Sequence, residues 1–127
     1  VSPKEPPLSG LQYEVVASID DNEDYTEAGG RRLTDDLEEA TVITSRTTGG
    51  EKHKIVLDID LPAKLIPSST EGHFHLFIDK EISELAYFGL LEALRNVGVL
   101  EDGYVSASLA RGHTAVRLPW VRKGAAA

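Results

Sequence analysis

The chain contains no cysteine. That absence excludes disulfides, thiolate zinc sites and cysteine nucleophiles together, and says nothing about compartment. No stretch approaches the roughly 18 consecutive apolar residues of a membrane span, and no basic, apolar leader is visible at the N-terminus. The expectation is a soluble, untargeted protein with no membrane contact. Excess positive charge is also missing: 13 Lys and Arg stand against 21 Asp and Glu, a formal charge of -8. Such a balance argues against general attraction to nucleic acid, whose backbone rewards clustered cations. Acids are themselves absent after Asp102, where Arg111, Arg117, Arg122 and Lys123 stand alone. The chain up to that point has 9 basic against 21 acidic residues, a net of -12, and the remainder is +4. A basic rim on an acidic body is one reading of this split, and an ordinary solvated end is the other.

The length of 127 residues fits one compact domain. Three prolines and a glycine in "VSPKEPPLSG" predict an arm without regular structure over residues 1–10, the domain then running over 11–122 with a flexible tail at 123–127. "LQYEVVASID" (11–20) reads as a strand, "DDNEDYTEAGGRR" (20–32) as an acidic loop, and "TDDLEEA" as one or two helical turns capped by Thr34. The acidic loop lacks the spacing of an EF-hand. "TVITSRT" (41–47) is β-branched enough for a strand, and "TGGE" after it predicts a hairpin.

"HKIVLDIDL" (53–61) alternates, with Ile55, Leu57, Ile59 and Leu61 on one side and Lys54, Val56, Asp58 and Asp60 on the other. "PAKLIPSSTEG" connects it to "HFHLFI", where Phe74, Leu76 and Ile78 take the core side and His73, His75 and Phe77 the other. Asp79 is a candidate cap for a helix through residues 80–97, with Ile82, Leu85, Ala86, Leu90, Leu94 and Val97 as its buried stripe and Gly98 closing it. "YVSASLA" (104–110) and "AVRLPWV" (115–121) read as two further strands, the second at an edge because of Pro119. The fold class expected is α+β: a mostly antiparallel sheet with one face covered by one or two helices. If these strands share one sheet, its open face collects Asp58, Asp60, His73, His75, Ser106, Ser108 and Arg117.

Taken singly, each of these side chains is ordinary on a solvated strand face. In combination, aspartates at i and i+2 place two hard oxygen ligands side by side, the arrangement that grips Mg²⁺ or Mn²⁺ and leaves room for phosphate oxygens. Two like charges so close repel unless a cation offsets them or they splay into water. Histidines at i and i+2 suit a softer first-row ion, or one of them contacts a phosphate.

"VLDIDLP" (56–62), "SSTEGHFHLFI" (68–78) and "EDGYVSASLARGHTAVRLP" (101–119) resemble, in order and spacing, the three motifs of the archaeo-eukaryotic type of primase-polymerase. That resemblance implies metal-binding catalytic aspartates at Asp58 and Asp60, with Asp102 or its neighbour Glu101 as the third carboxylate. It implies an RRM-like or primase-palm-like fold, with Ser69 in a loop containing Gly72 and His75 in the strand that follows as nucleotide contacts, and Arg111 and Arg117 as phosphate-binding residues. A nucleoside triphosphate, single-stranded DNA or RNA, and Mg²⁺ or Mn²⁺ would be the ligands of such a nucleotidyltransferase. His73 stands where that family usually has a small residue, and the N-terminal portion is shorter than a full primase-polymerase requires, so a degenerate, binding-only relative is part of the same reading. The whole chain also resembles small proteins of phages that infect actinobacteria, which implies the host cytoplasm.

Two other classes compete. "HFHLFI" fits the histidine pattern of rolling-circle HUH nickases, in which His73 and His75 would hold a metal beside Asp58, with Tyr87 as the helical nucleophile. A non-catalytic protein that docks to a basic partner or to a second copy of itself is the third class, with Tyr25, Tyr104 and Trp120 as candidate anchors.

Overall fold

A computed structural model of the chain describes residues 4–16 and 30–122. It divides into two compact units, Val1–Asp58 and Ile59–Ala127. Both α and antiparallel β elements are present, which is the α+β class expected.

The first unit is a three-stranded antiparallel sheet of β1 (Leu11–Val16), β2 (Arg31–Thr34) and β3 (Val42–Thr47), in the order β2-β1-β3. Val42, Ile43 and Thr44 bring the β-branched content that favours a pleated surface. The residues 31–32 expected in a loop belong to β2, where Val16 pairs with Arg31 and Tyr13 with Thr34. Residues 17–29, which hold the rest of that acidic loop and Tyr25, lie outside the described residues. "TDDLEEA" makes a single turn: Thr34 Oγ1 accepts from the Asp36 amide at 3.0 Å, and the Ala40 amide reaches Asp36 O at 3.0 Å. The turn expected at "TGGE" is there, Gly50 donating to Thr47 O at 2.7 Å. The returning chain runs beside β3 only as far as Lys54, through an isolated bridge between Arg46 and His53. The strand expected over 53–61 is therefore not formed: residues 54–60 have no regular structure and every one of them is exposed.

The second unit holds a hairpin of β4 (Ala63–Pro67) and β5 (Phe74–Ile78), then helices α1 (Glu84–Asn96) and α2 (Asp102–Arg111). β4 occupies residues expected to form a connector. Its prolines, Pro62 before it and Pro67 at its end, are compatible with a strand that has a free edge. Ser83, not Asp79, caps α1, its Oγ accepting from the Ala86 amide at 3.2 Å. The C-terminus closes in a Schellman arrangement around Gly98 at φ 82, with Gly98 donating to Arg95 O and Val99 to Leu94 O, both at 2.9 Å.

Residues 104–110 are helix α2, not the strand expected. Val105, Ser108, Leu109 and Gly112 follow the 3.6-residue period, and Val105 and Ser108 are fully buried where α2 packs on α1. Residues 115–121 are likewise not a strand. The buried side of α1 is rotated from the expected stripe: Leu91 is buried, with Tyr87, Phe88 and Leu94 half-buried, whereas Leu85 is 83% exposed. One residue along a helix is 100°, so a stripe set one position off selects a different face. Leu91→Ala is thus expected to lower the unfolding free energy by about 2–3 kcal/mol, and Leu85→Ala to change it by less than about 0.5 kcal/mol, in urea unfolding followed by helical circular dichroism. Equal effects would contradict the α1–α2 interface described here.

Candidate functional site

The hairpin turn is built from "SSTEGH". Ser68 Oγ accepts from the Thr70 amide at 3.1 Å and donates to Thr70 O at 3.2 Å, a short hydroxyl-to-backbone ring that fixes the start of the loop. The His73 amide then closes on Thr70 O at 3.1 Å, and Ser68 N on His73 O at 2.9 Å. Gly72 sits at the third position of that inner turn with φ 80, where a side chain is strained. The effect is to hold Ser69 outward at the tip.

Arg117 comes to Ser69 from 48 residues away. It lies in the segment after α2, and its Nη2 donates to Ser69 Oγ at 3.4 Å. The same segment bends at Pro119, the Val121 amide donating to Leu118 O at 2.9 Å. Beside the pair opens a cleft of about 440 Å³ lined by Ser69, Thr70, Pro119, Val121 and Arg122. Ser69, Thr70 and Arg122 line that open space and Arg117 reaches Ser69 beside it; hydroxyl and guanidinium groups are donors from which phosphate oxygens accept. Thr70 and Arg122 were not among the residues singled out from the sequence. The signals available for them were the run of hydroxyls before Gly72 and the continuation of the acid-free tail.

The other expected site residues are placed elsewhere. His75 lies in β5 directly opposite Ile66, which puts it on the hairpin face shared by Lys64 and Phe77. His73 belongs to the turn and is exposed. The partner of β5 is β4, and the Asp58–Asp60 segment is no strand, so the shared sheet face expected to collect these aspartates with His73 and His75 is corrected: the ladder runs from Pro67 opposite Phe74 to Ala63 opposite Ile78. Asp60 precedes the Ala63 end of that ladder, whereas His73 stands beyond the Phe74 end. Asp102 begins α2, 89% exposed, with its carboxylate 3.8 Å from Arg95 Nε. Arg111 folds back on its own helix end, Nε donating to His113 O at 3.0 Å and Nη2 to Ser108 Oγ at 3.4 Å. Ser106 and Ser108, expected on an open sheet face, are helical, and Ser108 is buried. Tyr87 has its hydroxyl 2.6 Å from Thr114 Oγ1.

Among the described residues, no group of three or more His, Asp or Glu side chains stands where it could hold a metal ion. Nor is any helix of the described residues long and apolar enough to cross a membrane. No family model, curated protein or solved structure matches the chain.

Because Gly72 alone supplies the left-handed residue of the turn, Gly72→Ala is expected to destabilise the hairpin by about 1 kcal/mol, although its Cβ would meet open space. Thermal unfolding should show the loss; an unchanged midpoint would mean that the turn is not strained at this position.

Proposed function

We propose that the chain is a nucleotide- or nucleic-acid-binding relative of the primase-polymerases that keeps a phosphate contact and does not by itself assemble a two-metal centre. The observation that carries this reading is the Ser69–Arg117 pair beside the cleft of Thr70 and Arg122. Both residues were expected to contact phosphate, and they lie far apart in sequence. A guanidinium offers a planar fork of donors to phosphate oxygens, and a serine hydroxyl beside it adds a rotatable one. The Pro119–Arg122 wall of the cleft comes from the acid-free end of the chain, and Glu71 is the acid adjoining Thr70 on the other wall.

The carboxylate set does not fit a two-ion centre. Asp102 stands by Arg95, and no third acidic or imidazole ligand joins Asp58 and Asp60 among the described residues. Mg²⁺ or Mn²⁺ serves in this proposal as the counter-ion of a triphosphate. In this proposal the second unit is a reduced primase-palm-like element, its hairpin turn presenting Ser69 to phosphate, in the cytoplasm of a phage-infected host.

A second reading, docking to a protein partner without nucleotide, is favoured by the open apolar side of the hairpin. Leu65 is 63% exposed, Phe74 55% and Leu76 56%.

Calorimetric titration with a nucleoside triphosphate at low salt tests the first reading. Wild-type protein should bind, Arg117→Ala should weaken binding about tenfold or more, and Asp58→Asn and His73→Ala should leave it within about twofold. Loss of binding in Asp58→Asn would instead favour a metal-dependent primase site. Single-strand cleavage abolished by Tyr87→Phe would favour the nickase. Wild-type protein that binds no triphosphate would leave the docking protein.

A further inference from the structure

We propose that residues 52–60, "KHKIVLDID", form a self-complementary strand through which two copies of the chain pair antiparallel, with Lys52 facing Asp60 and Lys54 facing Asp58 of the second copy. This goes beyond the phosphate-binding reading and does not depend on it.

The segment has the composition of a strand and, beyond Lys54, lacks a strand's partners. Ile55, Val56, Leu57 and Ile59 are all more than a third exposed. Among the described residues, the backbone of 55–61 makes no hydrogen bond. An exposed apolar segment with free backbone groups is a template for another chain.

The local geometry decides which edge is free. Lys52 O accepts from the Thr47 amide at 2.9 Å, and the Lys54 amide donates to Ser45 O at 2.8 Å. In a strand the backbone groups of alternate residues turn to opposite edges. Even-numbered residues here turn toward β3, so His53, Ile55, Leu57 and Ile59 would turn theirs outward. Antiparallel pairing with a second copy must set odd residues opposite odd ones, which requires the two-fold axis to pass through a residue.

Charge then selects the residue. An axis through Val56 pairs Lys52 with Asp60 and Lys54 with Asp58, each twice by symmetry, and sets Ile55 opposite Leu57 and His53 opposite Ile59. An axis through Leu57 keeps Lys54 opposite Asp60 and moves Asp58 opposite Val56. An axis through Asp58 sets that carboxylate against its own copy. The Val56 register also places Gly50 opposite Pro62, residues suited to ending a strand at both limits. The charged pairs occupy the non-hydrogen-bonded positions, where facing side chains approach most closely. Lys54 already donates to Ser9 O at 2.7 Å, and its ammonium group has two further donors for a carboxylate.

The test is a pair of charge reversals in the full chain, with mass measured by light scattering over a dilution series. Wild-type protein should form dimers that dissociate on dilution and weaken with added salt. Lys54→Asp and Asp58→Lys should each weaken dimerisation about tenfold or more, because two attractive pairs become repulsive. An equimolar mixture of the two variants should recover the dimer as a heterodimer, and the double variant carrying both changes should recover it as a homodimer. Recovery also shows that the single variants are folded. Wild-type protein that stays monomeric throughout, single variants that dimerise as well as wild type, or a mixture no better than its components would each overturn the proposal. Nucleotide binding is not the readout, so this outcome is separate from that of the Arg117→Ala titration.

Discussion

The register of β4 on β5 is the constraint on which the second unit depends, and one turn sets it. Ser68 Oγ holds Thr70, His73 closes on Thr70, and Gly72 takes the one backbone conformation that lets the chain reverse there. Side chains alternate along a strand, so a slip of one residue would exchange the two faces of the hairpin. In the register observed, Ala63, Leu65, Pro67, Phe74, Leu76 and Ile78 share one side, and Lys64, Ile66, His75 and Phe77 the other. The same turn presents Ser69 at its tip, where the segment carrying Arg117 meets it. Apolar face, histidine placement and the presentation of Ser69 at the cleft are three consequences of one local geometry.

Burial elsewhere is slight. Among the described residues the buried hydrophobic side chains are Leu11, Leu91 and Val105. The helical pair relies on small residues in α2: Ser108 is buried against α1 beside Val105, and alanines carry the helix without bulk. The hairpin, by contrast, rests on its ladder. A two-stranded hairpin is marginal alone in water, and each Leu or Phe it exposes represents up to about 1.5–3 kcal/mol that full burial would contribute. A surface of this kind gains most from an occupant, which is why docking stands as the second reading of this unit.

Much of the fold was legible from pattern. The β-branched run of β3, the period-two alternation of β5, and the helix ending at Gly98 all announce themselves. α2 did not, because Val105, Ala107 and Leu109 alternate as a strand would, while Val105, Ser108 and Gly112 also fit a helix. In a stretch of Ser, Ala and Gly neither period has enough apolar contrast to decide, and packing on α1 does. β4 was hidden by its flanking prolines. The segment 53–61 shows the converse failure: alternation states a propensity, and a strand exists only where a neighbour supplies hydrogen bonds. Of the candidate cleft, Ser69 and Arg117 stand in the motifs singled out in the sequence, whereas their contact and the places of Thr70 and Arg122 depend on how the tail bends at Pro119.

Asp58 and Asp60 lie two residues apart in an exposed segment without regular structure. Two carboxylates on one side of an extended segment need positive charge nearby or open water. A divalent ion of the Mg²⁺ type supplies that charge at about 2.0–2.1 Å and demands near-octahedral coordination by several hard ligands, and no such group of side chains gathers among the described residues. Lysine asks for less, since an ammonium group pairs with one carboxylate at a time. The segment carries its own lysines at 52 and 54, two residues apart, as the aspartates are, and placed symmetrically with them about Val56. Within one copy an extended chain keeps the two pairs out of reach of each other; in an antiparallel second copy they coincide. The spacing that invites a metal reading is therefore also the spacing on which the proposed pairing of two copies rests, and of the two it is the lysine arrangement whose every member lies within the segment.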